Sequence, residues 1–131
     1  MQSRMLNPRE PIDRERLTTE WLSYAESGAE DRFWADEALY DLIDEDPCLA
    51  WEIILDLLHR APTESTFANA AAGPLEDLVA FHGREVIGLI EQRVENDQDL
   101  RRALRVLQVG PDSLDMETVQ RLRNLGVERI G

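Results

Sequence analysis

The chain has 131 residues, 43% of them apolar, enough for one domain that buries roughly two-thirds of its unfolded surface. Its formal charge of −13, from 14 basic and 27 acidic residues, argues against general nucleic-acid binding, in which basic side chains neutralise phosphates, and against an acidic membrane surface. Cys48 is the only cysteine, which excludes an intramolecular disulfide and a thiolate zinc cluster.

The opening "MQSRMLNPREPIDRE" has no apolar stretch of roughly seven residues, and no run approaches the roughly 18 needed for a membrane span. A soluble, cytoplasmic single domain over 1–131 is expected, with 1–12 as a flexible N-terminal segment. From Asp13, the residues Leu17, Trp21 and Tyr24 recur at helical spacing until Gly28. A second helical pattern runs from about Asp31 to Asp44. In "DEDP", Asp46 is an N-cap candidate and Pro47 fits the first helical position. The third helix then runs to about Arg60. Its Ala50, Trp51, Ile53, Ile54, Leu55, Leu57 and Leu58 cover an apolar arc of about 200°, the mark of a core helix packed on two sides.

The stretch "AAGPLEDLVAFHG", residues 71–83, reads as a short helix with its own punctuation. Gly73 breaks the chain, Pro74 opens the helix, and Glu76 with Asp77 complements the positive end of its dipole. Leu75, Leu78, Val79 and Phe81 are expected in the core, His82 near the exposed carbonyls, and Gly83 in a left-handed cap. Further helices are expected over about 84–96, 99–107 and 114–125, the last closed by Gly126, with no strand anywhere. The fold class is all-α, with seven to eight helices.

Residues 39–54, "LYDLIDEDPCLAWEII", align without gaps on residues 75–90, "LEDLVAFHGREVIGLI". A period near 40 residues with a short turn per unit points to stacked antiparallel hairpins, HEAT-like or as an irregular bundle, with the first and last helices as caps. The combination "FWA" at 33–35, "DPCLAWEIIL" at 46–55, "AAGPLEDL" at 71–78 and "HGREVI" at 82–87 resembles a bacterial family of small all-helical proteins known as a domain of unknown function. The resemblance spans about residues 20–107. Where that family usually has an aromatic residue, this chain has Leu100. It implies an all-helical cytosolic domain and carries no activity with it.

Candidate chemistry is thin. Glu52, Asp56 and His59 share one face of the third helix, with Cys48 a turn earlier, and these residue types can bind a divalent ion. A carboxylate-bridged site draws Glu-x-x-His from two helices, however, and no second motif exists, so the expectation is no metal and no cofactor. His82 with Glu76 and Asp77 lacks a nucleophile, and no Gly-rich phosphate loop follows a strand. A non-enzymatic role is expected.

Charge placement carries more. Residues 26–56 hold eleven acidic groups and one basic group, whereas 101–131 hold six basic and four acidic. On a wheel of residues 33–44, Trp34, Ala35, Ala38, Leu39, Leu42 and Ile43 lie on one side, and Phe33, Asp36, Glu37, Tyr40, Asp41 and Asp44 on the other. Two rings among four carboxylates combine anchor and steering charge, as expected of a surface that grips a basic protein. The function expected is inhibition of a basic partner, such as a toxin or an enzyme acting on nucleotides or nucleic acid, in the manner of an immunity protein or antitoxin. The chain would be a monomer or weak dimer. The alternatives are a helical-repeat adaptor or scaffold and, third, a small metal-dependent enzyme.

Overall fold

Local capping chemistry sets most of the helix boundaries in the computed structural model, which describes residues 7–28, 33–110 and 114–130. Helix α1 (Pro11–Ser27) opens on a proline and closes at Gly28, whose φ of 70° needs a residue without Cβ. Of the segment expected to be flexible, residues 1–6 lie outside the described residues. The Asn7 N–H donates to the buried Asp13 carboxylate at 2.9 Å. Helix α2 (Phe33–Glu45) is joined to α3 (Pro47–Arg60) by Asp46 alone, whose side chain accepts from Leu49 N–H at 3.2 Å. Thr63 caps α4 (Glu64–Ala70) through its hydroxyl.

The next boundary corrects the sequence reading, because Gly73 and Pro74 do not break the chain. They lie in a π-helical turn, Ala71–Leu75, that leads directly into α5 (Glu76–Val94). Proline lacks an N–H and its ring crowds the carbonyl four residues back. The wider π turn absorbs both, with Glu76 N–H donating to Ala71 O. Likewise α5 does not end at Gly83. It kinks at His82 (φ −134°, ψ 27°) and continues. Gly83 has no positive φ, and its lack of a side chain serves close packing: a Cβ there would stand 2.6 Å from Leu114 Cδ2 and 3.2 Å from Thr118 Cγ2.

Residues 64–94 are therefore one bent rod, and with α4, the π turn and α5 counted once the described residues hold six helices rather than seven to eight. The two aligned hairpins differ at the same place. Residues 45–47 form a turn between two helices, whereas the aligned 81–83 only bend one.

Asp97 caps α6 (Gln98–Val106), and Asp115 caps α7 (Met116–Asn124), which ends before Gly126 at φ 102°. Contrary to the strand-free expectation, β1 (Gln108–Val109) pairs in parallel with β2 (Arg129–Ile130) across α7, in the register Gln108 to Arg129 and Val109 to Ile130. The architecture is otherwise all-helical. Helix α3 lies centrally against α1, α2, α4, α5 and α6, and all seven residues of its apolar arc are buried. Leu17 and Trp21 of α1, Leu39 and Ile43 of α2, Leu78 and Ile90 of α5, and Leu100 of α6 complete the core around it.

Candidate functional site

Helix α2 packs against α1 and α3 and also touches the π turn and α5. This narrows the polar face that the wheel drew. Asp36 is the residue most displaced by it: the carboxylate is half-buried and accepts from the indole Nε1 of Trp21 at 3.1 Å. It is a structural acceptor, not a free steering charge. Phe33 is 44% exposed and folds back edge-on to Tyr24, with ring centroids 5.7 Å apart. Glu37, Asp41 and Asp44 are exposed as expected, and Tyr40 is 54% exposed.

The structure adds residues that the sequence reading left out or misplaced. Phe81, expected in the core, is 58% exposed and meets Tyr40 edge to face, with centroids 6.3 Å apart and planes at 89°. Its spacing held the signal, since Phe81 lies about 200° around the helix from buried Val79 and shares a face with Asp77, four residues back. Asp36, Tyr40, Pro74 and Asp77 line a cleft of about 150 Å³ between α2 and the start of α5. Burial first, then the charges of Glu76 and Asp36, push the Asp77 carboxyl above its ordinary range. Glu76 accepts from Gln108 N–H at 2.8 Å, and among the described residues no donor reaches Asp77.

Arginines pair with many of the carboxylates elsewhere, although Glu26, Glu95 and Glu128 also stand singly without one among the described residues. Arg14 pairs with Asp56 at 3.0 Å, Arg60 with Glu15 at 2.9 Å, Arg102 with Glu64 at 2.7 Å and Arg84 with Asp115 at 2.9 Å, while Arg121 grips Glu91. Among the described residues none reaches Glu37, Asp41 or Asp44. Uncompensated negative charge is thus concentrated on α2 beside an exposed ring pair.

Residues 23–127 match the profile described as "Family of unknown function (DUF6869)". The chain belongs to DUF6869. The matched region takes in all of α2 through α7, so in this DUF6869 chain the ring pair, the cleft and the free carboxylates all lie within the family's own segment. Leu100, where an aromatic was expected, is fully buried. No curated protein and no solved structure matches the chain.

The divalent-ion residues do not converge. Glu52 and Asp56 face Arg14, at 3.7 Å and 3.0 Å, while Cys48 is exposed. His59 turns instead to Asp97, with Nε2 2.7 Å from Oδ2. His59, Asp97 and Asp99 can bring ligand atoms within 4.8 Å of one another, but Arg93 binds Asp97 at 3.0 Å and Arg102 binds Asp99 at 3.2 Å. Two guanidinium groups already hold the place of a cation, and the cluster is an ion-pair network that fastens α3 to α6. An open trough of about 990 Å³, floored by Trp51, Leu55 and Leu89, likewise has its arginines Arg9, Arg14 and Arg93 paired. Among the described residues, no helix is long and apolar enough to cross a membrane.

Proposed function

We propose that this DUF6869 chain is an acidic binding protein that inhibits a basic protein partner, of the immunity or antitoxin kind, by seating α2 and the adjoining start of α5 on the partner's cleft. The observation that carries this reading is the contrast in charge pairing. Arginines offset carboxylates over α3, α4 and α6 and at Glu15 of α1, whereas Glu37, Asp41 and Asp44 stand together without a cation among the described residues, next to Tyr40 and Phe81. Exposed like charges repel one another and lower stability, so a surface that keeps them unpaired is arranged for something outside the chain. The rings supply area that can be desolvated, and the charges supply steering and partner choice.

A rigid helix bearing carboxylates can occupy a site shaped for phosphates, which suits a partner that acts on nucleotides or nucleic acid. The adaptor reading is weaker, since it drew on a repeat whose aligned turns differ, Asp46 separating two helices and His82 kinking α5. The metal-enzyme reading is weaker for the reason that Glu52 and Asp56 are taken by Arg14 while His59 turns to Asp97. The test is to capture partners on the wild-type chain, identify a basic one, and assay its own activity with and without stoichiometric chain. Inhibition supports the proposal, whereas tight binding that leaves the partner fully active favours a scaffold.

A further inference from the structure

Two pairs of residues face each other across α2 and α5. Asp36 and Tyr40 are four apart on α2, and Asp77 and Phe81 are four apart on α5, so each carboxylate shares a face with its ring. The rings touch edge to face, and the carboxylates line one cleft together with Tyr40 and Pro74. We propose that this cleft receives a single arginine side chain of the basic partner, its guanidinium between Asp36 and Asp77 and its flank against Tyr40, which Phe81 backs edge to face. This rests on the reading of the acidic face given above and names the group that the face recognises.

Charge complementarity fixes the sign of the occupant. Burial first, and then the neighbouring charges of Glu76 and Asp36, raise the proton affinity of Asp77, and the donors that reach Asp36 and Glu76, the Trp21 indole and the Gln108 amide, are neutral. A cation placed there relieves that repulsion. The shape selects among cations. A guanidinium is planar, offers donors to two carboxylates at once and stacks on aromatic rings, whereas an ammonium is a strongly hydrated point charge. Hard metal ions want about six oxygen ligands in a polar shell, which two carboxylates beside two rings do not supply.

The full ¹⁵N-labelled chain is titrated with Nα-acetyl-L-arginine amide, with the neutral isostere Nα-acetyl-L-citrulline amide and with Nα-acetyl-L-lysine amide, and amide shifts are followed by NMR. The expected result is saturable shifts confined to residues 36–40 and 73–81 with the arginine compound, weaker ones with lysine and none with citrulline. Asp77→Asn and Phe81→Ala, both at partly or fully exposed positions, each weaken the arginine titration at least about fivefold while distant amides keep their positions. Equal shifts from citrulline, shifts centred on another face, equal binding of lysine, or an unchanged Asp77→Asn titration would overturn the proposal. The two readings fail separately. A basic partner that still depends on Glu37, Asp41 and Asp44 while the arginine probe ignores the cleft removes the cleft alone; a partner indifferent to those three charges removes the face.

Discussion

Replacing Asp97 tests how the fold is fastened behind the candidate face. Its side chain is only 4% exposed and serves three donors: Leu100 N–H at 3.0 Å, His59 Nε2 at 2.7 Å and Arg93 Nε at 3.0 Å. Burial alone would raise the Asp97 carboxyl and is the largest single effect, but the Leu100, His59 and Arg93 hydrogen bonds together outweigh it and hold the group below its ordinary range. Asp97→Ala removes the cap of α6, about 1 kcal/mol, and a charge-assisted bond that links α3 to α6. That bond is worth about 1.5 kcal/mol because His59 and Arg93 can still reach water. A total loss of about 2–3 kcal/mol is expected in urea melts at pH 7. Asp97→Asn keeps an oxygen for Leu100 N–H and should lose about 1 kcal/mol. Because the folded-state pKa is depressed, the contribution is complete above the unfolded value near 4 and disappears as pH falls through the folded value. The gap between wild type and Asp97→Asn should therefore close on acidification. A loss below about 1 kcal/mol for Asp97→Ala, or a gap that widens in acid, would refute the reasoning.

Three other outcomes follow from the packing. Trp51→Ala empties a buried site in the central helix and should cost about 3–5 kcal/mol by chemical denaturation; a loss under about 1 kcal/mol would contradict that placement. Gly83→Val drives a side chain into Leu114 and Thr118, so it should cost about 1–3 kcal/mol and speed amide exchange in α7, whereas unchanged exchange would mean that the close approach is unimportant. Asp77 has a raised folded pKa, so between the ordinary carboxylate value and that raised value the native state holds the extra proton and stability falls as pH rises. Asp77→Asn should therefore melt higher than wild type at pH 7 and equally at pH 3; the reverse order would contradict the burial of Asp77 beside Glu76 and Asp36.

What could be read from the sequence was set by range. Asp46 with Pro47, Gly28 and Gly126 act within one turn of themselves, and α3 runs from Pro47 to Arg60 as its apolar arc required. Gly73–Pro74 and His82–Gly83 carry the same local signals but sit where packing against α3 and α7 keeps one rod together, so a π turn and a kink replace two loops. The two-residue strands pair positions 21 apart and are too short for any alternation to show. At the candidate site the residue types of α2 were legible and their free or bound state was not. Whether a carboxylate is neutralised depends on partners such as Arg14 to Asp56, 42 residues apart, or Trp21 to Asp36, 15 apart. Phe81 was misplaced because it was counted with the apolar residues around it, although its angle set it with Asp77.

The central claim is that free charge on α2 steers a basic partner. Its most direct measurement is the association rate of a captured partner with the wild-type chain and with the triple variant Glu37→Arg, Asp41→Arg, Asp44→Arg, at low and at physiological salt. None of the three is buried or paired among the described residues, so the variant should fold as wild type does. Steering by exposed charge is screened within about 8 Å at physiological salt, so the wild-type rate should fall steeply as salt rises. The variant should start at least about tenfold slower at low salt and respond little to it or in the opposite sense. Equal rates for the two proteins at both salts, or a captured partner that is itself acidic, would contradict the claim.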